Sequence, residues 1–550
     1  MKNKLYILPI LIGLSLALGL ILGRQLANFY IPKPPPPVPM PITDIDTVPE
    51  NPYKVKLGKL IDYIEEDYVD KVNTDSIVDL TINSILRKLD PHSTYISKSD
   101  IQEVAETMSG KFVGVGISFY MYNDTIAVIK PVEGSDAMHK GIRFGDRILM
   151  AGRDTLFKKH LNTDKIKNIL KGEMESKVDL TIYRKSSDSI FKLSIERKFI
   201  PIRSIDCFYK VNDTLGYIRM NRFAETTTDE FTSALKALEK EGISSLILDL
   251  RNNSGGFLNV GIQIADEFLH KNKMIVFTKN NRKEIEETYA TDGGLFEDKP
   301  LFVLVNENSA SASEIVAGAL QDNDRGVIVG RRTFGKGLVQ SEMPLPDGSA
   351  VRLTTARYYT PTGRSIQKPY GLGHQRGSFQ IDNATVPDSL KFATPKGKVV
   401  YGGGGIYPDV YVPIDMKPET YMVNEVLNSG LTNFFLFEYL DSHPSLNSKP
   451  HKAYFITDYK VPKEMLIAFA KFLKNRRINL NFGKNSNEIA KHLKASLAEI
   501  WFNNNVAGLI RNQHDFYIDE CLHYYHHKST SATKKAVKRQ ATKTNKKSTK

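Results

Sequence analysis

Leu301-Phe302-Val303-Leu304-Val305-Asn306-Glu307-Asn308-Ser309-Ala310-Ser311-Ala312-Ser313-Glu314-Ile315-Val316 changes character twice within sixteen residues. Five consecutive apolar residues read as a strand buried on both faces. A polar break follows, and then small residues open a helical run from Glu314 to Leu320. Strand, loop and helix in this order belong to an α/β fold. A serine at the start of such a helix presents its hydroxyl at the end of a sheet. Backbone N–H groups and the positive end of the helix lie close by, where they can stabilise an oxyanion. Ala310 and Ala312 leave room for a substrate backbone. Ser311-x-x-Glu314 is equally a capping box, which needs no chemistry.

The same alternation extends on both sides, from Ile202 to about Ile414. Leu246 to Leu250 is an apolar strand ending in the loop Arg251 to Gly256, and Phe257 to Leu269 has helical spacing. Val327 to Val329 is a third strand. Pro346-Asp347-Gly348-Ser349 is a hairpin turn between Glu342–Leu345 and Ala350–Tyr358. Phe334-Gly335-Lys336-Gly337 supplies a lysine between glycines. A serine hydroxyl needs a base, and a lysine serves if burial lowers its pKa enough to leave it neutral. A solvated lysine on a glycine turn is the alternative. Gly330-x-x-x-x-Gly335-Lys336-Gly337 also approaches a phosphate-binding loop. It lacks the Ser or Thr that binds magnesium, and Leu338-Val339-Gln340 continues as strand rather than helix. Neither a Gly-x-Ser-x-Gly elbow nor a His-Glu-x-x-His zinc motif occurs. His523, His526 and His527 read as a polar helix end.

Helical spacing runs from Tyr53 to about Gly110 and again from Pro418 to about His526. Phe112 to Arg197 reads as short strands, with Gly114 and Gly116 alternating with Val113, Val115 and Ile117. At the N-terminus, Lys2 and Lys4 precede an uncharged apolar run from Leu5 to Gly23. Its length approaches the ~20 residues that span a bilayer. No small-x-small cleavage site follows, so an uncleaved signal-anchor is favoured over a cleaved signal. Ile31 to Pro52 is proline-rich and reads as an extended spacer. The formal net charge is +13, but nine Lys or Arg and no acid lie in the last 23 residues, leaving about +4 for the rest. That distribution argues against nucleic-acid binding as the main role. Cys207 and Cys521 are read as free thiols in different domains, since two distant cysteines make neither a disulfide framework nor a zinc site.

Taken together, the motifs resemble the C-terminal processing peptidases, or tail-specific proteases, from about Tyr53 to Ile414. Val305 to Val316 is similar to that family's nucleophile segment. Asp324-Arg325-Gly326-Val327-Ile328-Val329-Gly330 and Thr333 to Gln340 are similar to its lysine segment. The middle serine stands 25 positions before the lysine, the family's usual spacing. The resemblance therefore implies Ser311 as nucleophile, Lys336 as general base and Gln340 as the residue that orients the lysine. Asp249 to Gly256 resembles the glycine loop beside the nucleophile, with Ser254 where the family often has Pro. It implies the backbone N–H groups of Gly256 and Ala312 as oxyanion donors, with Gly255 the alternative to Gly256. Gly402 to Asp409 looks like the closing motif of the protease core. The segment from Phe112 is similar to a PDZ domain, and Phe112, Val113, Gly114, Val115, Gly116 and Ile117 resemble its carboxylate-binding loop and strand. Lys171 is read either as a solvated lysine or as a second carboxylate contact.

The expected architecture is a multidomain α/β protein: a crotonase-like α/β protease core, an inserted β-rich PDZ domain and flanking helical regions. The segments are a signal-anchor (1–30), a proline-rich linker (31–52), a helical N-terminal region (53–111), the PDZ domain (112–200), the protease core (201–414), a helical C-terminal domain (415–527) and a basic tail (528–550). The function this implies is serine endoproteolysis of exported proteins at or near their C-termini, with no cofactor and no metal. Expected partners are protein tails, the membrane through the N-terminal segment, a second copy of the chain and an adaptor protein. The basic tail would touch anionic surfaces, and no specific nucleic acid is expected. The body is placed outside the cytoplasm, in the cell envelope. The rival classes are a catalytically silent PDZ scaffold and a polyanion binder. Ser311, Lys336 and Gln340 together speak against the first, and the nearly neutral body against the second.

Overall fold

The structure is a computed structural model, and it describes residues 51–369, 386–414 and 418–525. The apolar run Leu5–Gly23, nearly all of the proline-rich spacer and the basic tail lie outside the described residues. The chain divides into two units, Met1–Leu80 and Thr81–Lys550. In the first, helix α1 (Pro52–Asp67) starts with Pro at N1 and with the Asn51 side chain accepting from the Tyr53 amide at 3.0 Å. It buries none of its residues. Tyr53, Leu57 and Leu60 stand exposed along it. Helix α2 (Thr74–Leu89) crosses from the first unit into the second. Among the described residues, no helix is long and apolar enough to cross a membrane.

The second unit is built around a six-stranded sheet in the order β10-β11-β12-β15-β16-β21. These strands are β10 (Ile205–Lys210), β11 (Leu215–Met220), β12 (Ser245–Asp249), β15 (Leu301–Val305), β16 (Val327–Gly330) and β21 (Val410–Tyr411). All neighbours except β10 and β11 are parallel. A parallel sheet needs crossover helices, so both its faces are covered and its strands read as unbroken apolar runs. Leu246, Leu248, Leu301, Val303 and Val305 point into one core, against helices α6 (Thr227–Lys240), α7 (Leu258–Asp266) and α8 (Ala312–Asp322). The alternate residues Ile247, Phe302 and Leu304 point the other way, into a second cluster.

That second cluster corrects one expectation. Residues 516–525 form a helix that brings Ile518 and Cys521 into one core with Cys207, Tyr217 and Phe302. The two cysteines remain free thiols, but they share one core rather than lying in separate domains. Burial pushes the Cys207 thiol up to about 12, so it is inert.

An antiparallel sheet stands beside the parallel one. Strand β18 (Ala350–Tyr359) pairs with β17 (Leu338–Pro344), with β13 (Met274–Asn280) and with the short β1 (Thr94–Ile96). Helix α3 (Ile101–Ser109) then leads into a two-stranded ribbon, β2 (Lys111–Gly114) with β9 (Lys198–Pro201). Between the two arms of this ribbon lies a separate β-rich body with its own core. Its strand order is β3-β4-β5-β7-β8, with β3 (Ile117–Tyr122), β4 (Thr125–Pro131), β5 (Arg147–Ala151), β7 (Lys177–Arg184) and β8 (Ser189–Glu196), and helix α5 (Thr163–Leu170) beside it. Residues 112–117 are therefore not one edge strand, because 112–114 are paired in the ribbon. The sheet ends in two strands with an unpaired side, β8 and β3; β3, which follows residues 115–116, has β4 alone as neighbour.

The C-terminal helices α9 (Pro418–Asn428), α10 (Leu431–Ser442), α12 (Lys463–Asn475), α13 (Phe482–Trp501) and α14 (Asn504–Arg511) pack around Phe435, Leu436, Phe469, Ile489 and Leu493.

Candidate active site

In an open parallel sheet, sites form beyond the carboxyl ends of the strands. Three such ends meet here: Asp249–Gly256 after β12, Asn306–Ser311 after β15 and Arg331–Lys336 after β16. Ser311 sits on the turn between β15 and α8 at φ 54 and ψ −115. A non-glycine residue held there is strained, and such strain gathers at functional sites. The turn thus has the sharp strand-to-helix geometry of a nucleophile elbow without its Gly-x-Ser-x-Gly sequence. The flanking serines are tied into the fold. Ser309 Oγ donates to the Leu250 carbonyl at 2.8 Å, and Ser313 Oγ donates to the Asn253 carbonyl at 2.9 Å.

Gly255 and Gly256 let the β12 loop approach this turn. A Cβ on Gly255 would stand 2.8 Å from the Ser311 Cβ, and one on Gly256 would stand 2.1 Å from the Phe223 carbonyl oxygen. The Gly255 amide donates to Asn253 Oδ1 at 2.9 Å. Among the described residues, the amides of Gly256 and Ala312 donate no hydrogen bond. The loop is anchored by Asp249, which is fully buried and accepts from Arg251 and from the Tyr217 hydroxyl. Burial alone would raise the Asp249 pKa, but Arg251 and Arg219 outweigh it and hold the carboxyl below its usual range. Arg251 reaches on to Asp515 at 2.9 Å.

Lys336 shares a cavity of 820 Å³ with Ser311, Gln340, Gly255 and Gly256, a volume typical of ligand sites. Met108, Phe257, Leu258, Ile315, Leu338 and Tyr358 supply its apolar lining. Lys336 Nζ donates to Gln340 Oε1 at 2.7 Å. Gln340 Nε2 donates to the His92 carbonyl, which turns its oxygen towards the lysine. Burial pushes the Lys336 pKa down, and the Arg352 guanidinium at the same cavity pushes it further.

The sequence alone read Glu314 only as a cap. Its carboxylate, fully buried, joins the two loops. It accepts from the Ser311 amide at 3.0 Å, the Lys336 amide at 2.9 Å, the Gly335 amide at 2.7 Å and the Thr333 hydroxyl at 2.5 Å. Amides can only donate, so the pattern fits the ionised form. Burial nonetheless raises its pKa against these bonds. Tyr358 adds a second tie: its hydroxyl lies 2.7 Å from the Lys336 carbonyl and 3.1 Å from the Ser311 carbonyl. One signal could have revealed Glu314. Every residue of α8 is buried, and an acid inside such a helix must have partners.

In the β-rich body, Val115 and Gly116 form the turn between β2 and β3. Gly114 bridges to Lys171 at the end of α5. Lys171 is ion-paired with Glu106 and lies over the Phe112 ring at 5.2 Å.

The geometry describes a serine-type protease core carrying a peptide-binding module, and comparisons with known proteins agree. Residues 214–373 match peptidase family S41, residues 113–195 match the PDZ domain, and residues 422–503 match a family of unknown function. The carboxy-terminal-processing protease of Bartonella bacilliformis is 34% identical over 330 residues, covering 59% of this chain and 74% of that protein. The carboxy-terminal processing protease CtpA of Bacillus subtilis is 34% identical over 364 residues, covering 65% and 74%. Among solved structures, a photosystem II D1 C-terminal processing protease is 27% identical and covers 66% of this chain and 88% of its own, with a TM-score of 0.36. The chain belongs to peptidase family S41, among the carboxy-terminal processing proteases. Its PDZ domain is a peptide-binding module.

Proposed function

We propose that this protease cleaves exported proteins at or near their C-termini through a Ser311–Lys336 dyad and an acyl-enzyme. Neutral Lys336 takes the Ser311 proton as Oγ bonds to the scissile carbonyl carbon. The oxyanion is received by the amides of Gly256 and Ala312. The C–N bond then breaks, Lys336 returns the proton to the leaving amine, and an ester remains on Ser311. Water, deprotonated by Lys336, hydrolyses that ester. Gln340 positions the lysine. The observation that carries this reading is a strained serine opening one cavity with a desolvated lysine. The engaged Gly255 amide favours Gly256 as the oxyanion donor. Rapid quench of a slow ester substrate, followed by mass spectrometry, should show the acyl group on Ser311. An adduct on Ser309 or Ser313, or none at all with turnover intact, overturns the assignment.

The PDZ domain presents substrate tails to this site, with the terminal carboxylate at the turn around Gly114–Gly116. One peptide with a free or an amidated C-terminus tests this, since amidation removes the charge and leaves every side chain. Equal cleavage of the two contradicts it. The body lies outside the cytoplasm, tethered by the apolar segment Leu5–Gly23. Support comes from the charge and length of that segment. Fractionation of cells bearing the full chain should place it with the membrane, protected from external reagents only while the envelope is intact.

A further inference from the structure

The C-terminal helical domain matches a family of unknown function, and its contacts suggest a role. Helix α10 carries Phe434, Phe437, Glu438 and Asp441 at positions i, i+3, i+4 and i+7, a single stripe. That stripe lies on the outer face of the PDZ sheet. Asp441 pairs with Arg147 on β5 and with Lys185 just after β7, each at 3.0 Å. Phe437 packs against Tyr122 and Phe144. Phe434 stacks on Tyr120 of β3 with ring centroids 4.3 Å apart, and the Tyr120 hydroxyl donates to Glu438 at 3.2 Å.

Of the two edge strands of this sheet, β3 is the one that follows the turn at Val115 and Gly116, and its two faces differ. Ile117, Phe119 and Met121 pack on the PDZ core. Ser118, Tyr120 and Tyr122 must point the other way, since side chains alternate along a strand. A tail that adds antiparallel to β3, with its carboxylate at the turn before Ile117, sets its last residue opposite Ile117. Counting along the strand, the residue three before the last falls opposite Tyr120. Directly opposed residues share a face, with Cβ atoms roughly 5 Å apart. That tail side chain therefore arrives beside the Tyr120–Phe434 stack. Both rings are only half-buried, so apolar surface remains open there. Glu438 offers little to a charged tail residue, because it is already engaged by Tyr120 and Arg476.

We propose that the helical domain forms the outer wall of the tail site, where Phe434 and Tyr120 select an aromatic or large apolar side chain three residues before the substrate's C-terminus. This rests on the reading that the PDZ domain binds tails along β3. It adds a specificity determinant from outside the PDZ domain.

The test measures fluorescence anisotropy of labelled peptides against the full chain carrying Ser311→Ala, so that binding is read without turnover. Peptides carry Phe or Gly at the position in question, each with a free or an amidated C-terminus. The Phe tail should bind about three- to tenfold tighter than the Gly tail, the scale of an aromatic contact. Phe434→Ala should erase that ratio and leave the free-over-amidated preference intact. Tyr120→Phe keeps the stack and should keep the ratio. Phe434→Leu, which preserves the apolar packing of α10, should lose most of it even if the Ala variant is poorly folded. Equal binding of free and amidated tails overturns the tail reading, and this proposal with it. A carboxylate preference without a Phe-over-Gly ratio, or a ratio unchanged in Phe434→Leu, overturns the wall alone.

Discussion

Three serines within five positions look interchangeable on paper, and the structure gives them different tasks. Ser309 and Ser313 spend their hydroxyls on the carbonyls of Leu250 and Asn253. Ser311→Ala and Lys336→Ala should each lower the turnover rate by at least about a thousandfold, the loss seen when a nucleophile or its base is removed. Ser309→Ala and Ser313→Ala should keep most activity and lower stability by about 1 kcal/mol each, read from denaturant midpoints. The pH profile belongs to the same scale. Lys336 acts as base only when neutral, so the rate should rise with pH through its depressed pKa. Arg352→Gln removes a cation that favours the neutral form, so the rising limb should move to higher pH. A limb that stays in place, with chemistry rate-limiting, would exclude Arg352 from tuning the base.

At the scale of elements, a single carboxylate couples helix α8 to the loop before β17. Glu314→Gln keeps the volume but, on either side, brings its N–H₂ group against a backbone N–H that cannot accept. The variant should lose at least about a hundredfold in turnover and about 3 kcal/mol in stability, since several charge-assisted bonds fail together. Unchanged turnover in this variant would remove Glu314 from the positioning role. A second buried anchor lies at the far end of the same helix. Asp322 pairs with Arg364 at 2.6 Å, both fully buried, and Arg364 also donates to Gln321 and to the Tyr401 carbonyl. Asp322→Ala leaves a buried guanidinium unpaired and should destabilise the protein by about 3–5 kcal/mol, measured by chemical unfolding.

For the whole molecule, the apolar residues of α1 are left uncovered among the described residues, and a second copy of the chain would cover them. Tyr53, Leu57 and Leu60 are respectively 78%, 41% and 54% exposed on a helix that buries nothing. Isolated helices of this length are marginal in water, so α1 gains stability only by covering that stripe. Sedimentation at tens of micromolar, a rough range for weak interfaces, should show a dimer that Leu57→Glu with Leu60→Glu converts to monomer. A monomeric parent would contradict self-association through this helix.

Much of this protein was legible without coordinates. Unbroken apolar runs such as Leu301–Val305, bounded by turn signals and followed by helical spacing, fit buried strands, so the α/β class of the core followed from local pattern. Ser311, Lys336 and Gln340 were singled out by the resemblance to the C-terminal processing peptidases, since the residues alone left Ser311 open as a cap and Lys336 open as a solvated lysine. The structure alone decided what depends on long-range contact. It brought residues 516–525 back onto the core sheet and put Cys207 and Cys521, far apart in sequence, into one core. It paired 112–114 in a ribbon and left β3, after that ribbon, as an edge strand. It turned Glu314 from a helix cap into the tie between two loops, and laid α10 on the PDZ sheet. Periodicity records which face of an element is buried. It carries no record of which distant element does the burying, because apolar surfaces are not directional and many partners satisfy one stripe equally well.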